Sequence, residues 1–262
     1  MSALIFDCDG VLCDTEREGH LPAFNQTFHE FGLPVQWSEA EYGERLRIGG
    51  GKERMASLLT EEFVAAAGLP RERDAQLAEV ARWHKRKTEI YTAMVTAGRL
   101  PPRPGITRLI GEALDAGWTL AVASTSAQAS VAAILTCAAG PQNAARFAAV
   151  LAGDIVPKKK PAPDIYNLAI DRLGVNRADA LVIEDSRNGL EAATAAGLRC
   201  VVTISSYTSQ ENFDEAALVL SDFGEPGGMI EVLANRSRAR PAGWIRLEDL
   251  AACLENRPTV NP

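Results

Sequence analysis

Four short stretches carry residues able to do chemistry, and each follows or closes a compact apolar run. Phe6-Asp7-Cys8-Asp9-Gly10-Val11-Leu12 sets two carboxylates two residues apart behind the run Ala3 to Phe6. Residues i and i+2 of an extended chain point the same way, and Gly10 allows a sharp turn behind them. Val122-Ala123-Ser124-Thr125-Ser126 ends a second run in hydroxyls that can hold a phosphoryl oxygen. Lys158-Lys159-Lys160-Pro161-Ala162-Pro163-Asp164 places a cation just ahead of a helix start. Leu181-Val182-Ile183-Glu184-Asp185-Ser186 closes another run with adjacent acids, and a buried strand ending in two carboxylates asks for a cation. Each stretch also has a plainer reading. Asp-x-Asp-Gly is ordinary turn chemistry. It can also open a calcium loop, and Glu18 falls at the twelfth position counted from Asp7, but Val11 at the fifth cannot ligate. Ser126 can cap the following helix, and at least one of Lys158 and Lys159 belongs to a solvated surface. Single motifs of this kind are weak signals; four in this order, each at a strand end, are a strong one.

The elements that must position them alternate. Helical spacing at about 105–116, 127–138, 163–174 and 187–196 is interleaved with strands at Thr119 to Ala123, near Val150, Ala180 to Ile183 and Arg199 to Thr203. That alternation predicts an α/β fold with a doubly wound parallel sheet, in which ligands bind outside the carboxyl ends of the strands. From about Glu16 to Gly98 the chain is instead rich in Ala, Glu, Arg and Leu at helical spacing, so an all-helical block is inserted after the first strand. Leu100-Pro101-Pro102-Arg103-Pro104-Gly105 is a stiff connector. The expected organisation is a core of residues 1–15 and 99–223, a helical domain of residues 16–98, and a C-terminal extension, 224–262. The amphipathic stretch Leu247 to Leu254 would pack that extension on the core.

Composition removes several function classes. A net charge of −7 argues against a nucleic-acid partner. The absence of any apolar run of spanning length argues against a membrane. Five scattered cysteines without CxxC spacing suit a reducing compartment. Because the first strand begins almost at Met1, a cytoplasmic protein is expected, or a stromal one if a transit peptide has been removed; the expected state is a monomer, and the expected partner a small molecule.

Asp-x-Asp-Gly, strand-end Ser, Lys-Pro and Glu-Asp in this order resemble the four motifs of the haloacid-dehalogenase superfamily. The helical insert is similar to that superfamily's C1-type cap on a Rossmann-like core. The resemblance implies an Mg²⁺-dependent phosphatase with Asp7 as nucleophile and Asp9 as general acid and base. It implies that Ser124 and Lys160, with Thr125 alongside, hold the phosphoryl group. Asp7, Asp185 and the backbone carbonyl of Asp9 would be metal ligands, with Glu184 acting nearby or through water. A carboxylate approaching a phosphate meets about 4 kcal/mol of repulsion per unit charge pair at 4 Å and an effective dielectric near 20. A metal and Lys160 would offset that repulsion. The superfamily's dehalogenases lack the second acid, so Asp9 disfavours that activity.

A narrower resemblance lies in the insert. Leu46-Arg47-Ile48-Gly49-Gly50-Gly51-Lys52-Glu53-Arg54 joins a glycine run to a helix start and two cations, a ready anion site or, equally, a flexible basic turn. With Tyr42 before it, and with Val156-Pro157-Lys158-Lys159-Lys160-Pro161 and Ser206-Tyr207-Thr208 elsewhere, it is similar to the CbbY branch, the plant-type members in particular. Those enzymes remove the 1-phosphate of xylulose-1,5-bisphosphate. By that resemblance Glu16, Tyr42, Arg47, Gly50, Gly51, Lys52 and Arg54 bind substrate. Sugar phosphomutases of the β-phosphoglucomutase type share these motifs and are the nearest alternative. A receiver domain uses a comparable set of groups but lacks a helical insert. His20, His29 and His84 have no ligand spacing. If Asp7 is the nucleophile, Asp7→Asn will abolish phosphate release while leaving the circular dichroism spectrum unchanged; appreciable release from the folded variant would remove Asp7 from that role.

Overall fold

The computed structural model describes residues 2–48 and 51–255, and the chain divides into two compact units. One comprises Met1–Asp14 and Leu100–Pro262, the other Thr15–Arg99.

The first unit is built on β1 (Ala3–Phe6), β2 (Thr119–Ala123), β3 (Ala149–Leu151), β4 (Ala180–Glu184), β5 (Arg199–Thr203), β6 (Leu218–Leu220) and β7 (Val232–Asn235). They form one sheet in the order β3-β2-β1-β4-β5-β6-β7, parallel throughout except for β7, which is antiparallel to β6. β1 and β4 are buried at every position, as near-continuous apolar strands of a doubly covered parallel sheet must be. Ala3 and Ile5 join Ile165, Tyr166, Ala169, Leu190 and Ala193 in one core layer. Those partners lie on α8 (Asp164–Leu173) and α9 (Arg187–Ala195), which also pack against each other. A second group of helices, α6 (Ile106–Asp115), α7 (Gln128–Ala144) and α10 (Leu247–Leu254), in which α6 packs on each of the other two, also contacts the sheet. α7 runs past the expected end near 138, but it breaks at Gly140 (φ 75°, ψ 155°) and resumes at Pro141, where a missing N–H costs nothing.

The second unit is helical, as the insert's spacing predicts: a π-helical turn at Glu16–His20, then α1 (Leu21–Glu30), α2 (Glu39–Arg45), α3 (Gly51–Ala56), α4 (Glu61–Ala66) and α5 (Arg73–Thr96). An aromatic nucleus holds it. Trp37 lies 5.0 Å from Phe24 and edge-on to Phe28 at 4.8 Å, and Tyr42 packs on Phe24 at 5.7 Å. Ser38 begins α2 with a capping box closed by Glu41.

Two strands escape the sequence reading. β6 is three residues long, and β7 lies in the extension and carries a bulge against β6. The extension nevertheless contributes to the core, since Leu250 of α10 is fully buried and α10 packs on β4, β5 and α6. Leu250→Ala should cost about 2–5 kcal/mol in urea unfolding, the usual range for a buried Leu truncation. A loss below about 1 kcal/mol would mean that the extension is not part of the folded core.

Candidate active site

The four motifs converge at the carboxyl ends of β1, β2 and β4. β1 stops at Phe6, and the Asp7 N–H donates to the Ile183 carbonyl of β4 (2.9 Å), fixing Asp7 at the strand junction. Beyond it the chain turns, with Leu12 N–H on the Cys8 carbonyl (3.0 Å) and Gly10 N–H on the Cys13 carbonyl (2.8 Å). The strand rule that would point Asp7 and Asp9 the same way therefore does not operate. Asp7 faces Lys160, whereas Asp9 accepts a short hydrogen bond from the Ser126 hydroxyl. Ser126 is thus not the helix cap its position suggests: Ala127 occupies the N-cap of α7, and the Ser126 N–H donates to Ser124 Oγ at 3.1 Å. Ser124 is buried and Thr125 half-buried at the end of β2.

Gly10 is required twice over. Its φ is +75°, and a β-carbon there would lie 2.0 Å from an Asp185 carboxylate oxygen. The acid of β4 is seated directly on the β1 turn. Gly189, in the first turn of α9, leaves room for the Glu184 carboxylate in the same way, with an added β-carbon 1.9 Å from its Cδ.

The Lys160 ammonium sits among these acids. It donates to Asp7 Oδ1 (2.5 Å), Glu184 Oε1 (2.6 Å) and the Ala123 carbonyl (3.0 Å), and lies 4.9 Å from the Tyr166 ring centroid. Burial alone would lower its pKa, but Asp7 and Glu184 overcome that and raise it, so it stays charged. Lys159 is the solvated member of the run, paired with exposed Asp154, and Lys158 is exposed too. Asp7 is raised to about 7 by burial, with Glu184 and Asp9 adding to the effect and Lys160 opposing it. Asp185 is raised for the same leading reason, then by Glu184 and Asp7.

Asp7, Glu184 and Asp185 each offer an oxygen within 4.8 Å of the others, a hard-oxygen cluster that fits a divalent cation. Surplus buried carboxylate held above its ordinary range is what such an ion relieves. The oxygens of Glu184 already have protein donors. Lys160 and the Tyr166 hydroxyl (2.5 Å) reach Oε1, and the Asp185 N–H (3.1 Å) and Ser186 hydroxyl (3.4 Å) reach Oε2. Asp7 and Asp185 are therefore the side chains best placed to ligate, while Glu184 holds Lys160.

In the helical unit, Arg54 donates to the Tyr42 hydroxyl (3.0 Å) and to the Ile48 carbonyl (3.0 Å), and pairs with Glu16 at 3.6 Å. The Tyr42 hydroxyl in turn donates to Glu16. Three of the expected substrate residues thus form one network. Arg47 is not brought into it: it is exposed and paired with Glu44 at 3.2 Å. Lys52 is exposed, and Gly49 and Gly50 lie outside the described residues. Gly51 starts α3 where a β-carbon would come 3.2 Å from His84 and 3.3 Å from Phe24. His20 is stacked on Tyr91 (4.0 Å) and its Nδ1 faces the Lys87 ammonium at 2.7 Å. Lysine only donates, so Nδ1 accepts and the ring is neutral; burial and Lys87 both press its pKa down.

A sheet of this order, with an acid pair, a lysine and hydroxyls at its carboxyl edge, defines a phosphoryl-handling hydrolase fold. The model for haloacid dehalogenase-like hydrolases matches residues 1–197. The chain belongs to that family and is one of its phosphatases. It is 47% identical over 229 residues to a CBBY-like protein of Arabidopsis thaliana, covering 86% of this chain and 70% of that one. It is 43% identical to Protein CbbY of Cupriavidus necator, covering 86% and 87%. Among solved structures it is similar to a mutant CbbY from Rhodobacter sphaeroides in complex with xylulose-(1,5)bisphosphate. That likeness has a TM-score of 0.69 and 40% identity over 87% of this chain and 97% of the other.

Tyr166 and Ser126 are the site residues the sequence does not announce. The first sits in an apolar helix face and the second in a capping position, so neither carries a local signal of its role. One consequence of the charge balance is measurable. Because Asp7 titrates near 7 without metal, it must lose a proton to ligate, and affinity for Mg²⁺ should fall about tenfold per pH unit below 7. Calorimetric titrations at several pH values check this; an affinity constant from about pH 5.5 to 7.5 would contradict it.

Proposed function

We propose that this chain is a Mg²⁺-dependent phosphatase that removes one phosphate from xylulose-1,5-bisphosphate, leaving xylulose 5-phosphate, through an aspartyl-phosphate on Asp7. The observation that carries the substrate is the likeness, over most of both chains, to a CbbY crystallised with that bisphosphate. Asp7, Asp185 and the Asp9 backbone carbonyl would hold the ion. Bound there, Mg²⁺ neutralises charge on the attacking carboxylate and the phosphoryl oxygens.

The rest of the chemistry belongs to side chains already described. Asp7 attacks phosphorus and displaces the sugar oxygen. Asp9 delivers a proton to that leaving oxygen, then takes one from the water that cleaves the aspartyl-phosphate. Lys160, held by Glu184 and Tyr166, spreads charge from the equatorial oxygens, and Ser124 and Thr125 donate hydrogen bonds to them. The distal phosphate and sugar fall to Glu16, Tyr42, Arg47, Gly50, Gly51, Lys52 and Arg54. Within that set Arg54 is balanced by Glu16, so Lys52 is the cation that most needs a second anion.

Phosphate release from a panel of sugar mono- and bisphosphates tests the reading, with xylulose-1,5-bisphosphate expected to show the highest kcat/KM. Lys52→Ala should lower that kcat/KM about ten- to a hundredfold, the worth of one charge-assisted hydrogen bond, and leave p-nitrophenyl phosphate nearly untouched. Equal losses on both substrates would mean that Lys52 does not hold a distal phosphate.

A further inference from the structure

Arg103 lies in the proline-rich connector, outside every motif, yet it reaches the back of the site. Its own N–H donates to the Leu12 carbonyl at 2.9 Å. Among the described residues, the guanidinium's hydrogen bonds all go to main-chain carbonyls. Nη1 donates to Gly10 (2.5 Å) and Thr203 (3.4 Å), and Nη2 to Ile204 (2.6 Å) and Ser221 (2.5 Å). These carbonyls lie just beyond β1, at and just beyond the end of β5, and just beyond β6. In the sheet, β4 runs between β1 and β5, and Asp185 follows it.

Two of these acceptors have a specific relation to Asp185. Gly10 is the residue on which the Asp185 carboxylate sits, 2.0 Å from where a β-carbon would be. Ile204 shares its peptide bond with Ser205, whose side chain hydrogen-bonds the same carboxylate. Arg103 therefore fixes both walls of the slot that holds Asp185, while the carboxylates of Asp14, Asp185 and Asp222 balance its charge. A planar fork with five donors can gather four carbonyls at once; a lysine, with a single donor atom, cannot.

From this geometry we infer that Arg103 is a positioning residue for the metal site, setting the spacing of Asp185 from the Asp7 turn by clamping Gly10 and the Ile204–Ser205 peptide. The inference rests on the metal-dependent reading above, and wild-type Mg²⁺ binding separates the two: if the wild type binds no Mg²⁺, that reading fails first.

The test uses the full chain, Mg²⁺ alone as the calorimetric probe, and p-nitrophenyl phosphate for kinetics. Arg103→Lys should raise the Kd for Mg²⁺ about 10- to 100-fold, the usual effect of removing a group that orients a metal ligand. Its kcat at low Mg²⁺ should fall, recover as Mg²⁺ is raised, and leave KM nearly unchanged. A purely structural residue would lower Tm without moving the Mg²⁺ dependence. Ser205→Ala leaves every Arg103 bond in place and removes one wall directly, so it should shift Kd in the same direction. If Arg103→Lys is too unstable for calorimetry, the Mg²⁺ dependence of its Tm gives the same comparison. A wild-type Kd in Arg103→Lys, whatever its Tm, overturns the inference, as does a wild-type Kd in Ser205→Ala.

Discussion

Everything at the site depends on a surplus of buried negative charge answered by one lysine. Asp7, Glu184 and Asp185 end two central strands with Lys160 between the first two at 2.5 and 2.6 Å. Removing an ion from water costs several kcal/mol even after relaxation, and a buried pair repays that only when its remaining lone pairs and protons are satisfied. Glu184 meets that condition through Tyr166, Asp185 N–H and Ser186. Asp7, bonded to Lys160, and Asp185, bonded to the Ser205 side chain, are nonetheless held above the ordinary carboxylate range by burial and by the charge of neighbouring acids. Such an arrangement is poor value for stability and apt for binding a cation, because the ion completes a charge balance that the protein leaves open.

The frame must be stiff for that imbalance to persist. β1 and β4 are buried throughout and bonded in register, Phe6 beside Ile183, so the acids that follow them cannot drift apart without breaking the sheet. The seating of Asp185 on Gly10 adds a steric lock, and the Arg103 clamp ties the same turn to the ends of β5 and β6. Since β2 and β4 flank β1, the site opens at the reversal of strand order, where helices leave to opposite faces and a crevice forms. Chemistry is thereby gathered at the strand ends, with Asp9 in the turn beyond β1 and Lys160 reaching in from the loop before α8.

Much of this is legible in the sequence because the informative signals are local. An apolar run followed by Asp7, Ser124 or the Glu184-Asp185 pair marks a strand end wherever the strand lies in the sheet, and the Lys160-Pro161 pair marks a helix approach. What stays illegible is set by tertiary contact. Nothing near Arg103 says that its guanidinium will gather carbonyls from three loops, and Tyr166 reads as an ordinary core aromatic. Ser126 has a capping position but bonds Asp9. The shared direction expected of Asp7 and Asp9 needs β1 to continue through both, whereas the strand stops at Phe6 and the chain turns, which sets Asp9 against the Ser126 hydroxyl. Arg47, expected at the substrate by the CbbY resemblance, pairs with Glu44 on the surface, a contact its sequence neighbours do not announce. β6 and β7 escape because a three-residue strand and a bulged, half-exposed one carry too little periodicity to separate from loop.

The central claim is that Asp7 carries the phosphoryl group during turnover. Rapid-quench reactions with Mg²⁺ and xylulose-1,5-bisphosphate, followed by borohydride reduction and peptide mass spectrometry, address it directly. An aspartyl-phosphate is reduced to homoserine, so the account predicts that change at position 7, growing with substrate on the timescale of the first turnover. Phosphate release at the full rate with Asp7 unmodified at every time point, or reduction at a different carboxylate, would contradict it.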